Sequence, residues 1–123
     1  MATPDATVLV VEDEDSFVEA LTVGLKREGF RVQVASDGAQ ALELFDAIRP
    51  DLVLMDINLP GINGIEATRQ IRAAHPDVQI ILLSTYSEAD LPADAREVGA
   101  LAYVHKEDFG PAVMRDLWPE AGA

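Results

Sequence analysis

Five short apolar runs, each followed by a longer amphipathic stretch, constrain this fold more than any other feature of the chain. The runs are VLVV at 8–11, FRVQVA at 30–35, DLVLM at 51–55, VQIILL at 78–83 and LAYV at 101–104. Most are near-continuous in β-branched and aliphatic residues, as strands buried on both faces are. The second alternates and suits a sheet edge. The gaps between runs each have room for one helix.

The gaps carry helical patterns. SFVEALTVGLKREGF places Phe17, Ala20, Leu21 and Leu25 on one face, with Gly29 as a C-terminal stop. Asp37 is a candidate N-cap for GAQALELFDAI, whose Ala41, Leu42, Phe45 and Ile48 face inward. Ile65, Thr68 and Ile71 stripe a third helix that ends before His75-Pro76. The segment near 88–98 is rich in Ala and Glu and weakly apolar, so it should dock least firmly. Pro111 suits a first helical position, and Val113, Met114, Leu117 and Trp118 share a face of the last helix. Strand-helix alternation repeated five times implies an α/β domain, a doubly wound (βα)5 parallel sheet with helices on both faces. The chain, 1–123, reads as a single domain with a core at about 7–118.

Composition narrows the function. Net charge is −13, with 22 Asp and Glu against nine Lys and Arg, and such a surface repels phosphate backbones, so direct nucleic-acid binding is not expected. The acidity suits a solvated surface first and a divalent-cation site second. There is no cysteine, which removes disulfides and thiolate chemistry. No apolar run approaches the roughly 20 residues of a membrane helix, so no membrane role and a cytoplasmic location are expected.

Polar residues end four of the runs. The first ends at Glu12 and Asp13, the third at Asp56 with Asn58 just beyond, the fourth at Ser84 and Thr85, the fifth at His105 and Lys106. In open parallel sheets ligands bind beyond the carboxyl ends of the strands, where strand order reverses. With strand order 2-1-3-4-5, that point lies between strands one and three, about 4.8 Å apart. Glu12, Asp13 and Asp56 then share a pocket, with Ser84 and Lys106 on its other side. Two like charges 4 Å apart repel by about 4 kcal/mol at an effective dielectric of 20, so three carboxylates call for a cation. Mg²⁺ with one or two carboxylates and waters fits best, and the anion such a site would take is a phosphoryl group, with a carboxylate as covalent acceptor. Each residue alone is more ordinarily a cap, a turn former or a solvated charge; their convergence on one sheet edge is what carries weight.

VLVVEDED, DLVLMDINLPGINGIE, IILLSTYS and GALAYVHKED resemble the blocks of the response regulator receiver domain of two-component signalling, over about Val8 to Trp118. The resemblance implies a flavodoxin-like fold and a phosphorylation-dependent switch that catalyses its own phosphoryl transfer and dephosphorylation rather than turning over a substrate. It implies Asp56 as phosphoacceptor from a sensor histidine kinase, and Mg²⁺ held by Glu12, Asp13, Asp56 and the Asn58 backbone carbonyl. Ser84 is then the hydroxyl that engages the phosphoryl group, Lys106 pairs with acceptor or phosphoryl oxygens, and Tyr103 is the aromatic that changes rotamer. Gly64 fits a tight backbone site at the start of the third helix. The surface formed by the fourth helical segment, fifth strand and last helix would then shift toward a downstream protein, with a second copy of the chain as a further partner.

The sequence departs from the family pattern in two places. Glu12-Asp13 stands where Asp-Asp is common, and Glu107 follows Lys106 where many members have a proline and a cis bond, leaving that loop open. The short ending FGPAVMRDLWPEAGA leaves no room for a helix-turn-helix output, so the expectation is either a stand-alone receiver with no output domain, which the tail favours, or a chain cut at a domain boundary. The competing reading is a receiver-like interaction module that works without phosphorylation; the complete set of Glu12, Asp13, Asp56, Ser84 and Lys106 argues against it. A Mg²⁺-dependent phosphatase would carry a second Asp as general acid where Asn58 stands. A flavin binder would need a phosphate loop where residues 12–15 are all acids.

Overall fold

The computed structural model describes residues 6–85 and 93–118. Its five strands, β1 (Thr7–Val11), β2 (Arg31–Ala35), β3 (Leu52–Asp56), β4 (Ile80–Ser84) and β5 (Ala102–His105), pair in parallel in the order β2-β1-β3-β4-β5. The expected doubly wound sheet is present, and β2, the alternating run, lies at an edge. Among the described residues, four α-helices connect or follow the strands: α1 (Asp15–Arg27), α2 (Gly38–Ile48), α3 (Gly64–Ala74) and α4 (Pro111–Leu117).

The predicted punctuation acts as expected. The Asp37 side chain accepts from the Gln40 N–H at 2.8 Å and caps α2, and Asn63 does the same for α3 through the Glu66 N–H. Gly29 adopts φ 96°, a left-handed turn beyond the end of α1 that lets Phe30 fold back into the core.

Side chains alternate across the strands and sort into two cores. Leu9, Val11, Val53, Met55, Ile80 and Leu82 pack beneath α2 and α3. Val8, Val10, Leu52, Leu54, Ile81 and Leu83 pack beneath α1 and α4, with Leu25, Met114 and Trp118. Ile65, Thr68 and Ile71 are buried as predicted.

Two helical expectations change. Ala20 is exposed, not inward-facing: the α1 stripe that reaches the core is Phe17, Leu21 and Leu25, because a three-residue step carries Ala20 past the edge of a narrow apolar arc. The helix expected near 88–98 falls partly outside the described residues; its described part is a short 3-10 turn, Ala93–Arg96. In this part Ala95 is fully buried and Val98 nearly so. Among the described residues no peptide bond is cis, so Lys106–Glu107 is trans and opens a second 3-10 turn, Lys106–Asp108. No helix among them is long and apolar enough to cross a membrane.

Candidate functional site

The alternation that builds the α1/α4 core also builds the site. Val8 and Val10 face that core, and the next residue in the row is Glu12. Leu52 and Leu54 are followed in the same way by Asp56, and Val104 by Lys106. Three charged residues therefore continue three apolar rows beyond the top of one core. Register brings them level, because Val11 pairs with Met55 and Asp56 pairs with Leu83. Backbone bonds hold the ends of the rows: the Glu12 N–H donates to Ala35 O, and the Ile57 N–H to Leu83 O, both at 2.9 Å.

Glu12 and Asp56 are each only 1% exposed. Carboxylate oxygens of Glu12, Asp13 and Asp56 lie within 4.8 Å of one another. Lys106 Nζ sits 2.6 Å from Glu12 Oε2 and 3.2 Å from Asp56 Oδ2. The other Asp56 oxygen, Oδ1, accepts from the Asn58 N–H at 3.1 Å, and Glu12 Oε1 accepts from the N–H groups of Asp13 and Glu14.

These surroundings set the protonation. Burial, and after it the negative charge of Glu12, push the Asp56 carboxyl up to about 6, against the opposing pull of Lys106 and the Asn58 N–H. Burial opposes the charge on Lys106, but its hydrogen bond to Glu12 and the charges of Asp56 and Glu12 outweigh that and hold it above the usual lysine range. One cation thus faces three carboxylates, an uncompensated negative charge in a set of hard oxygen donors. That donor set fits Mg²⁺, whose octahedral ligands sit about 2.0–2.1 Å from the ion.

Ser84 and Tyr103 lie apart from this row. Strand parity puts them on the α2/α3 side, with Ser84 following Ile80 and Leu82, and Tyr103 packed on that core beside Leu82 in register. Ser84 is buried and Thr85 exposed, so the two adjacent hydroxyls differ sharply in setting. Asn58 is exposed just past Asp56. His105 ties the tops of β4 and β5: its Nδ1 accepts from the Glu107 N–H at 3.2 Å, and Nε2 lies 3.1 Å from Thr85 O, a pair of contacts that the neutral Nε2–H tautomer satisfies.

Two glycines shape the loop after Asp56. A Cβ on Gly64 would lie 1.9 Å from Asp56 O, and one on Gly38 would lie 2.8 Å from Ile62 O. Gly64 was legible as a tight site, but Gly38, remote in sequence, gave no signal. Sequence reasoning also missed Phe17, whose ring lies below Lys106 with its centroid 5.3 Å from Nζ; only its place on the inward α1 stripe hinted at it.

The sequence profile of the response regulator receiver domain matches residues 8–116. The chain belongs to this family. Among relatives of known role, it is 42% identical over 106 residues to the DNA-binding response regulator MtrA of Mycolicibacterium smegmatis, covering 86% of this chain and 46% of MtrA. It is 37% identical over 99 residues to regulatory protein AtoC of Escherichia coli, covering 80% of this chain and 22% of AtoC. The chain therefore spans less than half the length of these two relatives. Sporulation initiation phosphotransferase F of Bacillus subtilis is 32% identical over 99 residues, 80% of either protein. Among solved structures, response regulator TrrA of Thermotoga maritima in complex with Mg²⁺-BeF superposes with a TM-score of 0.82 at 33% identity, covering 94% of this chain and 98% of TrrA. Receiver domains are two-component signalling modules rather than turnover enzymes, and receive phosphoryl groups from histidine kinases.

Proposed function

We propose that this receiver is a phosphorylation switch in which Asp56 accepts a phosphoryl group from a sensor histidine kinase. The observation that carries the reading is the buried Asp56 carboxylate, clustered with those of Glu12 and Asp13 and ion-paired to Lys106. Glu12, Asp13, Asp56 and the Asn58 backbone carbonyl would hold Mg²⁺, which when bound offsets negative charge on the transferring phosphoryl group.

This chain's own residues do the rest. An Asp56 oxygen attacks phosphorus in line as the bond from phosphorus to the donor's histidine nitrogen breaks, and that nitrogen leaves with the electron pair. The Asn58 N–H and Lys106 fix the carboxylate's two oxygens before attack. The row of apolar side chains below excludes water from the acceptor's inner side. Lys106 then has phosphoryl oxygens as partners in place of the free carboxylate. Ser84 moves its hydroxyl toward the phosphoryl group, and Tyr103, on the same face, follows. That movement shifts the surface made by residues 93–98, β5 and α4 toward a downstream protein. Amide shifts on this surface that do not change on phosphorylation would count against the last step.

The deciding experiment is intact mass after incubation with Mg²⁺ and acetyl phosphate, on the wild type and on Asp56→Asn. One added phosphoryl group is expected on the wild type, and none on the variant or in excess chelator. An unmodified wild type at short times and low temperature would overturn the reading in favour of an interaction module that works unphosphorylated.

A further inference from the structure

The Lys106 ammonium faces Glu12, Asp56 and Phe17, and the switch described above uses the first two. Its ammonium carries three N–H groups. Glu12 and Asp56 are within reach of two of them, at 2.6 and 3.2 Å. The third neighbour is the ring of Phe17, 5.3 Å from Nζ to centroid, inside the range at which an aromatic face attracts a cation. Phe17 is the third residue of α1 and is half-buried against the core that carries Val104. The lysine side chain is only 11% exposed, so little water competes for the remaining side of the ammonium.

We infer that Phe17 is a positioning residue for Lys106: its ring face confines the ammonium to the side of the site where Asp56 lies. Lys106 begins a short 3-10 turn after an edge strand that is only half-buried, so the local backbone restrains its long side chain weakly. Its two carboxylate partners also change role when a metal and a phosphoryl group arrive, since both are in the proposed ligand set. The ring takes no part in that exchange and stays the same through it. A leucine at position 17 would fill similar apolar space but offers no π face; a tryptophan offers a stronger one. The inference rests on the phosphorylation reading for its consequence, and on the contact alone for its geometry.

The chain has two lysines, Lys26 and Lys106, so protein labelled with ¹³C-lysine gives two sets of side-chain signals, with exposed Lys26 as internal reference. In the wild type the Lys106 ε-methylene protons are expected upfield of those of Lys26, from the Phe17 ring current. In Phe17→Leu that displacement should vanish, and the rate of phosphorylation by acetyl phosphate should fall about three- to tenfold, the range of a partly desolvated cation–π contact. Phe17→Trp should restore both; a role in filling space alone would be met by Leu and not by Trp. Coincident ε-methylene shifts in the wild type overturn the inference without any variant having to fold. So does a Leu variant within twofold of the wild-type rate, or a Trp variant as slow as Leu. Absence of any adduct on the wild type is a separate failure, of the phosphorylation reading, and leaves the lysine spectrum to decide whether Phe17 places Lys106.

Discussion

The two ends of the sheet carry charge in opposite ways. At the amino end, opposite charges are dispersed and tied locally. Asp51 accepts from the Thr7 N–H, His75 sits between Asp46 and Arg49, and Arg72 donates to Val78 O. Arg115 pairs with Glu28 on the helical layer nearby. Most of these groups are exposed and make ordinary surface contacts. At the carboxyl end, Glu12, Asp13 and Asp56 cluster beside Lys106, which pairs with two of them, and Glu12 and Asp56 are almost fully buried. Charges placed for stability alone would be distributed as at the amino end. Concentration of one sign, with burial, costs stability and marks where chemistry is prepared.

Substitutions test this contrast most strongly at the carboxyl end. Gly64→Ala should be the most damaging. Its Cβ would meet the Asp56 carbonyl at 1.9 Å, and overpacking against backbone should cost about 3 kcal/mol or more in urea denaturation. A loss below about 1 kcal/mol would mean that the start of α3 gives way easily and does not fix the loop after Asp56. Lys106→Met should cost about 2–4 kcal/mol at pH 7 without Mg²⁺, because it leaves Glu12 and Asp56 facing each other uncompensated; added Mg²⁺ should recover part of it, seen as a larger thermal shift than in the wild type.

Asp56→Asn should act in the other direction. Burial and the charge of Glu12 push the folded carboxyl up from its ordinary 3.8 to about 6, so the folded state holds the proton more tightly. Wild-type stability then falls as pH rises between about 4 and 6, and the full penalty is present above 6. Without Mg²⁺ the Asn variant should be more stable than the wild type by about 1–3 kcal/mol at pH 7, with the difference shrinking toward pH 4. Equal stability at both pH values would show that Lys106 already compensates Asp56 in full. At the amino end, Asp46→Asn should change stability by less than about 1 kcal/mol and leave the Mg²⁺ response untouched. A large effect there would erase the contrast between the two ends.

Much of this was legible in the sequence because sheet burial writes itself as near-continuous apolar runs. The strand order was an assumption that the family resemblance supported, whereas the strand-helix alternation, the caps at Asp37 and Gly29 and the inward row of α3 followed from residue type and spacing. Ala20 did not, since a small residue at the edge of an apolar arc gives no sign of which way it turns. The burial of Ala95 and Val98 gave no sign either, since two modest side chains in an Ala- and Glu-rich stretch make no apolar stripe. For the site, strand-end position brought Glu12, Asp13, Asp56 and Lys106 together. Which face each occupied needed the register of the whole sheet, and only that separates Ser84 and Tyr103 from the acid row. The contacts Phe17–Lys106 and Gly38–Ile62 join positions far apart in the chain, with no motif to link them.

Asp56, the proposed acceptor, is itself the last residue of a central strand, and the amides of Glu12 and Ile57 belong to the ladder that holds the sheet together. Loosening Asp56 therefore means fraying β3, which is bonded on both sides. Reactivity should accordingly persist undiminished as the protein is warmed and then collapse together with the cooperative unfolding transition. No intermediate regime is expected in which the protein is folded but its acceptor has drifted out of place.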